Sequence, residues 1–367
     1  MRKIILSLLI FTMLATVVGC ESKKVEVEVE AKDKGYVNVY TTRHYDADDA
    51  LYEEFTKQTG IKVNVVTDES AVSIAKIKEQ GETTDADIFM TSDAGNLALA
   101  KSEGILQSIS SDLLNKNIPS KYRDIDSTWF GLTKRARVFL YSNERVSVEE
   151  LNGLTYENLV TNDRWNKKVL VRSSSNIYNQ SLIASFISIL GEDETSNWVE
   201  MLVEDMARNP EGNDRVQAVA IKDGIGDIAI ANSYYYGKLV NETDESSKYY
   251  GVSDKVSIYF PNQGEGESGV HINVSGAGVV KGAKNKENAI KLLEFLSDKE
   301  QQKTFSATNY EFPVNVESEV SPLLQSWLDN QGIKELKEQD INLTDLGTFN
   351  ENALNIMIQN NWDNPVD

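Results

Sequence analysis

Along the chain, short apolar runs alternate with stretches whose apolar positions recur every three to four residues. Residues 37–41 (Val-Asn-Val-Tyr-Thr) predict a buried strand, residues 46–59 a helix that stops at Gly60, and residues 61–66 the next strand. A helix over 71–81, a strand over 87–91 and a helix over 93–104 complete β-α-β-α-β-α in fewer than seventy residues. That order predicts an α/β sheet covered on both faces. The second half repeats the theme with a strand at 168–171, helices at 178–190 and around 194–209, and a strand at 226–231. Two segments look like connections between lobes: 129–142, long and β-rich with Lys134, Arg135 and Arg137 in its middle, and 270–280, a later strand with Gly276 and Gly278. A chain that crosses twice between two α/β lobes makes a cleft with a hinge, and closure around a ligand follows. The helical pattern at 284–304 and the stretch 320–362 are expected on the outside of the lobes.

The first residues break this pattern. Arg2 and Lys3 precede an apolar stretch, 4–18, interrupted only by Ser7, Thr12 and Thr16, so residues 1–19 read as an export signal. The stretch falls short of the roughly 20 residues that span a bilayer. Val17-Val18-Gly19-Cys20 resembles a bacterial lipobox, with cleavage before Cys20 and a lipid on its sulfur. Cys20 is the only cysteine, so no disulfide forms within the chain, and Cys-rich zinc or iron–sulfur sites are excluded. Residues 20–35, with interleaved Lys and Glu, read as a solvated tether. The remainder suffices for two domains, and no second run is long and apolar enough to span a membrane. Against 37 basic residues stand 57 acidic ones, and the net charge of −20 disfavours nucleic acid and anionic membrane surfaces.

In α/β sheets, ligands collect beyond the carboxyl ends of the strands. Three loops at such edges carry tyrosines. Arg43-His44-Tyr45 follows the strand at 37–41, with Asp46 expected as N-cap; Tyr178 follows the strand at 168–171 through Ser173-Ser174-Ser175-Asn176; Tyr234, Tyr235 and Tyr236 follow the strand at 226–231, with Asn232 or Ser233 capping. One tyrosine alone is more often a packing residue. Three converging loops offer a cluster of phenol oxygens, which suits a hard, highly charged cation such as ferric iron. The free phenol has a pKa near 10, but a trivalent cation displaces the proton, so binding should release protons and weaken in acid. Magnesium or calcium would more naturally take carboxylates and carbonyls, and soft metals suit phenolates poorly. His44 could add a neutral nitrogen or be a surface histidine. Gly264-Glu265-Gly266-Glu267-Ser268-Gly269 spells G-x-G-x-x-G, yet a strand follows it and its glutamates would repel a phosphate, so it reads as a turn. His271 reads as structural or hinge-lining, and neither histidine is paired with a nucleophile.

Over residues 37–313, with the hallmarks Arg43-His44-Tyr45, 130–137, 172–180, 232–237 and 273–278, the chain resembles the periplasmic ferric-ion-binding proteins of bacterial iron ABC transporters. The likeness is closest to the branch that holds iron with several tyrosines. It implies a two-lobed type II periplasmic-binding-protein fold of the α/β class with two β crossovers at the hinge, residues 36–131 and 270–307 forming the N-lobe and 132–269 and 308–367 the C-lobe. It implies Tyr45, Tyr178, Tyr234 and Tyr235 as ligands, with His44 optional. Another branch adds a glutamate and an exogenous anion; here the glutamate position holds Ser92, with Asp93 next to it. Tyr236 falls where relatives have an apolar residue and reads as packing. Four phenolates exceed the charge of one ferric ion by one unit, so a nearby cation would help. Arg135, Arg137 and Arg172 are the candidates, and if one held carbonate the site would be assisted by a synergistic anion. The expectation is a monomeric, lipid-anchored, extracytoplasmic protein, on the outer face of the plasma membrane or in a periplasm. It captures iron(III) in an interlobe cleft, delivers it to an ABC permease and ATPase, and catalyses nothing. The alternative is an ABC-type binding protein for an oxyanion or small organic ligand, held by helix N-termini and the arginines.

Overall fold

The structure, a computed structural model, describes residues 34–43 and 45–365. The leader, Cys20, nearly all of the tether and His44 lie outside the described residues. β1 (Tyr36–Thr41), α1 (Asp46–Thr59), β2 (Lys62–Thr67), α2 (Ser70–Gln80), β3 (Ile88–Thr91), α3 (Ala94–Ser102) and α4 (Asp112–Asn117) open the chain. Then come β4 (Phe130–Ser142), α5 (Val148–Leu151), α6 (Tyr156–Leu159), β5 (Val169–Leu170), α7 (Ile177–Leu190), α8 (Glu192–Asp205), α9 (Asp214–Lys222), β6 (Ile228–Asn232), α10 (Ser233–Val240) and β7 (Val256–Tyr259). β8 (Ile272–Val279), α11 (Lys286–Ser297), α12 (Lys299–Thr308), β9 (Phe312–Pro313), α13 (Pro322–Asn330), α14 (Asp345–Thr348) and α15 (Asn350–Gln359) follow.

Local chemistry sets several of these boundaries. Tyr45, in extended backbone, is the N-cap of α1, so Asp46 is its first helical residue and not the cap expected from the sequence. Asp46, Asp48 and Asp49 place negative charge in the first turn, where the helix dipole favours it. Gly60 ends the helix in the left-handed region at φ +78°, donating to the Thr56 carbonyl at 2.8 Å. The helical pattern at 284–304 is two helices, because Asp298 turns extended and caps α12 through the Glu300 N–H at 3.0 Å. α9 is a helix the hydrophobic pattern did not single out; Asn213 caps it.

The sheet runs β2-β1-β3-β8-β4-β6-β5, with β7 and β9 also on β4. β1 pairs in parallel with β2 and β3, and β5 with β6, while β8 and β4 pair antiparallel. β4 changes partners along its length: residues 130–136 lie against β8 and residues 137–141 against β6. β8 in turn reaches from β4 to β3. These are the two crossovers the sequence predicts, and β3, β6 and β8 are buried at every position, as strands covered on both faces should be. The crossovers approach closely. A Cβ on Gly276 would stand 2.5 Å from the Phe130 carbonyl oxygen and 2.9 Å from Leu97 Cδ1.

Where the crossovers meet, the His271 N–H donates to the Tyr156 hydroxyl at 3.2 Å, its carbonyl accepts the Arg137 N–H at 2.9 Å, and its Nδ1 faces Gln339 Oε1 at 3.1 Å. Burial pushes the His271 imidazole down to about 3, so this is a neutral structural side chain. Residues 264–269 form a turn, closed by the Gly264 N–H donating to Glu267 at 2.6 Å. At the outer end of β7, both backbone groups of Phe260 are taken by the Gln331 amide, at 2.8 and 2.7 Å.

The stretch 320–362 is not confined to the outside. α14 is wedged between α3 and α7, so close that a Cβ on Gly347 would stand 2.8 Å from the Gly95 carbonyl oxygen, and the Trp362 side chain is fully buried. No helix among the described residues is long and apolar enough to cross a membrane.

A methyl group at Gly276 has nowhere to go without parting β8 from β4. Gly276→Ala should lower stability by about 1–3 kcal/mol, read as a lower urea midpoint at unchanged slope.

Candidate metal centre

Each tyrosine loop is fixed by buried polar contacts. In the first, Arg43 donates to both Asp48 oxygens at 2.8 Å and to Glu311 at 3.2 and 3.3 Å, and its guanidinium carbon lies 4.8 Å from the centre of the Tyr45 ring. Burial opposes the Arg43 charge, but Asp48 and Glu311 outweigh it and hold its pKa above the ordinary arginine value. In the second, Asn176 caps α7 by accepting the Tyr178 N–H at 3.2 Å. The Tyr178 hydroxyl lies 3.4 Å from Ser92 Oγ, and its ring lies under Arg135 and Arg172, at 4.9 and 5.6 Å. In the third, Asn232 occupies the N-cap of α10 without making the capping bond, because its Oδ1 accepts from Arg137 at 3.3 Å. Ser233 does not cap either; its Oγ accepts the Ala136 N–H at 3.2 Å. The Tyr234 and Tyr235 rings stack at 4.2 Å.

Lys238 bridges the first and third loops. Its ammonium lies 4.7 Å from the Tyr45 ring centre, 5.4 Å from that of Tyr234 and 5.9 Å from that of Tyr235. It has no ion-pair partner among the described residues. Tyr45, Tyr178, Tyr234 and Tyr235 are thus brought to one place by loops from both halves of the chain. Tyr236 is turned away and packs on Trp327 at 5.4 Å, the packing role expected of it. Asp93 also faces elsewhere, capping α3 and accepting from Ser181 at 2.8 Å and Asn273 at 2.7 Å.

The arginines divide into two groups. Arg135 and Arg172 stand against Tyr178, and the Nε atoms of both have no acceptor among the described residues. Arg137 stands one layer behind, held by Asp214 at 3.2 Å, Asn179 at 2.6 Å and Asn232. Asp214 also faces Arg172 at 3.6 Å. Three of these groups escaped sequence reading. Lys238 had a signal: it lies four residues after Tyr234 and three after Tyr235, on their helix face. Glu311, in the turn between α12 and β9, had none. Asp214 follows a cap residue, but its helix went unrecognised.

The electrostatics favour protonated phenols until a strong cation arrives. Burial is the main cause raising the pKa values of Tyr45, Tyr234 and Tyr235, and neighbouring Tyr178 raises all three further. Burial and the nearby Arg215 lower that of Lys238. Among the described residues no group of three or more His, Cys, Asp or Glu side chains is placed to hold a metal, and the phenol cluster is the candidate hard-oxygen donor set. Beside it a cavity of about 680 Å³, lined by Tyr45, Arg215, Lys238, Asn241 and Tyr310, leads outward.

Residues 38–303 match the family described as bacterial extracellular solute-binding protein. Iron uptake protein A2 of Synechocystis is 43% identical over 326 residues, covering 89% of this chain and 90% of that protein. Among solved structures, the Trichodesmium protein IdiA (FutA) in complex with iron and citrate ligands superposes with a TM-score of 0.82 at 45% identity, covering 89% of this chain and all of that one. Apo FutA2 of Synechocystis gives 0.81 at 42% identity, covering 89% and 99%. The fold expected from the sequence, a type II periplasmic binding protein, is the fold of these structures.

The buried phenols leave a mark on stability. In the metal-free protein they keep their protons where the unfolded chain loses them, so the stability they contribute is fully present below a pH of about 10 and lost as pH rises above it. Urea midpoints should fall across that range, and fall less steeply in Tyr234→Phe.

Proposed function

The chain belongs to the bacterial extracellular solute-binding proteins, and from that premise we propose that it is an iron(III) carrier. It takes ferric iron between its two lobes through Tyr45, Tyr178, Tyr234 and Tyr235 and passes it to the membrane permease and ATPase of an ABC importer. The observation that carries this reading is a phenol cluster lined by cations: Lys238 lies against Tyr45, Tyr234 and Tyr235, and Arg135 and Arg172 lie against Tyr178. Four phenolates around one ferric ion leave a single negative charge, and Lys238, with Arg135 and Arg172 behind Tyr178, is placed to offset it. Divalent cations are weaker at displacing phenol protons and have no carboxylate cluster among the described residues to turn to. Iron uptake protein A2 of Synechocystis supports this assignment, and the Trichodesmium protein holds iron with citrate, so a synergistic carboxylate beside the metal is part of the proposal.

It catalyses no reaction in this reading. The one described histidine, His271, is buried, neutral and bound to Gln339, with no nucleophile beside it. The protein works as a lipid-anchored monomer outside the cytoplasm, on the strength of Arg2-Lys3, the apolar stretch 4–18 and Val17-Val18-Gly19-Cys20.

Ferric citrate added to metal-free protein should give a visible phenolate-to-iron charge-transfer band that saturates at one iron per chain. Tyr234→Phe and Tyr235→Phe should each weaken or shift it, with losses beyond the roughly 10–100-fold typical of an outer-shell partner. A colourless protein whose thermal midpoint ignores ferric citrate would end the reading. Lys238→Gln should cost about 10-fold in affinity and move half-maximal binding to higher pH, whereas Lys238→Arg should keep both near the starting values.

A further inference from the structure

We propose that Trp362 and Asp363, just beyond α15, are positioning residues for the metal site: they clamp the loop that presents Tyr178 and Arg172. The inference rests on the reading of Tyr178 as a ligand. The loop over 171–176 connects β5, a strand of two residues, to α7, so the sheet itself holds little of it. What holds it comes largely from the last described segment. The Trp362 indole N–H donates to the Arg172 carbonyl at 2.8 Å, from a side chain that is 1% exposed. The Asp363 carboxylate accepts the Ser174 N–H at 3.0 Å and also the Ser174 hydroxyl. Asn350 donates to Gln180 Oε1 at 3.0 Å, and Gln180 Nε2 donates to the Ser174 carbonyl at 2.9 Å.

The segment has its own footing. Asp345 accepts from Ser188 of α7 at 2.7 Å, and α14 lies against α3 from the first lobe. Within the loop, Asn179 Nδ2 donates to the carbonyls of Arg172 and Ser173 at 2.7 and 3.2 Å. The clamp therefore holds the Arg172 carbonyl and, at Ser174 and Gln180, the chain on either side of Tyr178, while Trp362 and Asp363 bind the loop's backbone and Ser174 and are no part of the phenol cluster. Removing it frees Tyr178 to move relative to Tyr45, Tyr234 and Tyr235.

The test compares Asp363→Ala, Asp363→Asn and Ser174→Ala, with Asn352→Ala as control; Asn352 lies on α15 and bonds Glu192 of α8. Amide exchange over residues 174–180 is followed in the metal-free protein, and the charge-transfer band is followed on titration with ferric citrate. Asp363→Ala should speed exchange across the loop, weaken ferric binding about 10-fold and alter the band, as loss of an outer-shell support does. Asp363→Asn, which keeps an acceptor for the Ser174 N–H, should recover most of the binding, Ser174→Ala should shift both readouts in the same direction, and the control should change neither. The proposal is overturned if the Asp363→Ala and Ser174→Ala loops exchange at the wild-type rate, or if the loops loosen while affinity and band stay unchanged. A wild-type protein with no ferric band would sink the iron reading instead, and the exchange data would then still decide whether the clamp exists.

Discussion

The Arg137 guanidinium lies where β4 leaves one set of strands for another, and it is almost wholly cut off from solvent. A charge in that position is tolerable only if its partners are in place, and each partner belongs to a different element: Asp214 opens α9, Asn179 belongs to the first turn of α7, and Asn232 ends β6. Burial lowers the proton affinity of this arginine, and Asp214 works against that loss. Breaking such a pair by removing one member costs about 3–5 kcal/mol, because the survivor is left charged and unsolvated. Since α7 carries Tyr178 and β6 leads directly into Tyr234 and Tyr235, the contact that joins α7, α9 and β6 to β4 also ties together the elements that carry three of the four phenols. Asn232 shows the cost of this arrangement, giving up its capping bond to satisfy the arginine.

In the proposed reading, the phenol cluster exchanges protons for metal. Burial and neighbouring phenols hold Tyr45, Tyr234 and Tyr235 neutral, while Lys238 lies against all three rings. An occupant must supply enough positive charge to make several phenolates worth forming in a place with little water. That requirement selects for charge density before it selects for size, and it couples occupancy to the acidity of the surroundings. Arg43 belongs to the same scheme: paired with Asp48 and Glu311, it keeps the Tyr45 loop in place while its charge is largely spent.

Much of this was legible in the sequence because it is local. Apolar runs alternating with helical periodicity announced the covered sheet, and tyrosines just past apolar runs announced the site. The long strand with arginines in its middle gave away the crossover. What stayed hidden depends on contacts between distant residues. Glu311 reaches Arg43 across 268 positions of sequence, and no local pattern marks it. The cap of α1 moved to Tyr45, and both candidate caps of α10 were drawn into bonds with β4, which periodicity cannot foresee. The segment 320–362 looked like an outer layer because its apolar positions do not say which elements they face; α14 lies against both α3 and α7.

The Gln331 amide beside Phe260 has a bearing beyond this chain's own packing. A strand at the margin of a sheet exposes a row of donors and acceptors on which another chain can build. There the amide supplies one acceptor and one donor in the places where an incoming backbone would supply its own. At the two ends of the strand order, β2 is strongly exposed and begins with Lys62, and β5 is only two residues long. At the margin beside Phe260 a single glutamine behaves as a strand of one residue, occupying the donor and the acceptor that another backbone would otherwise meet.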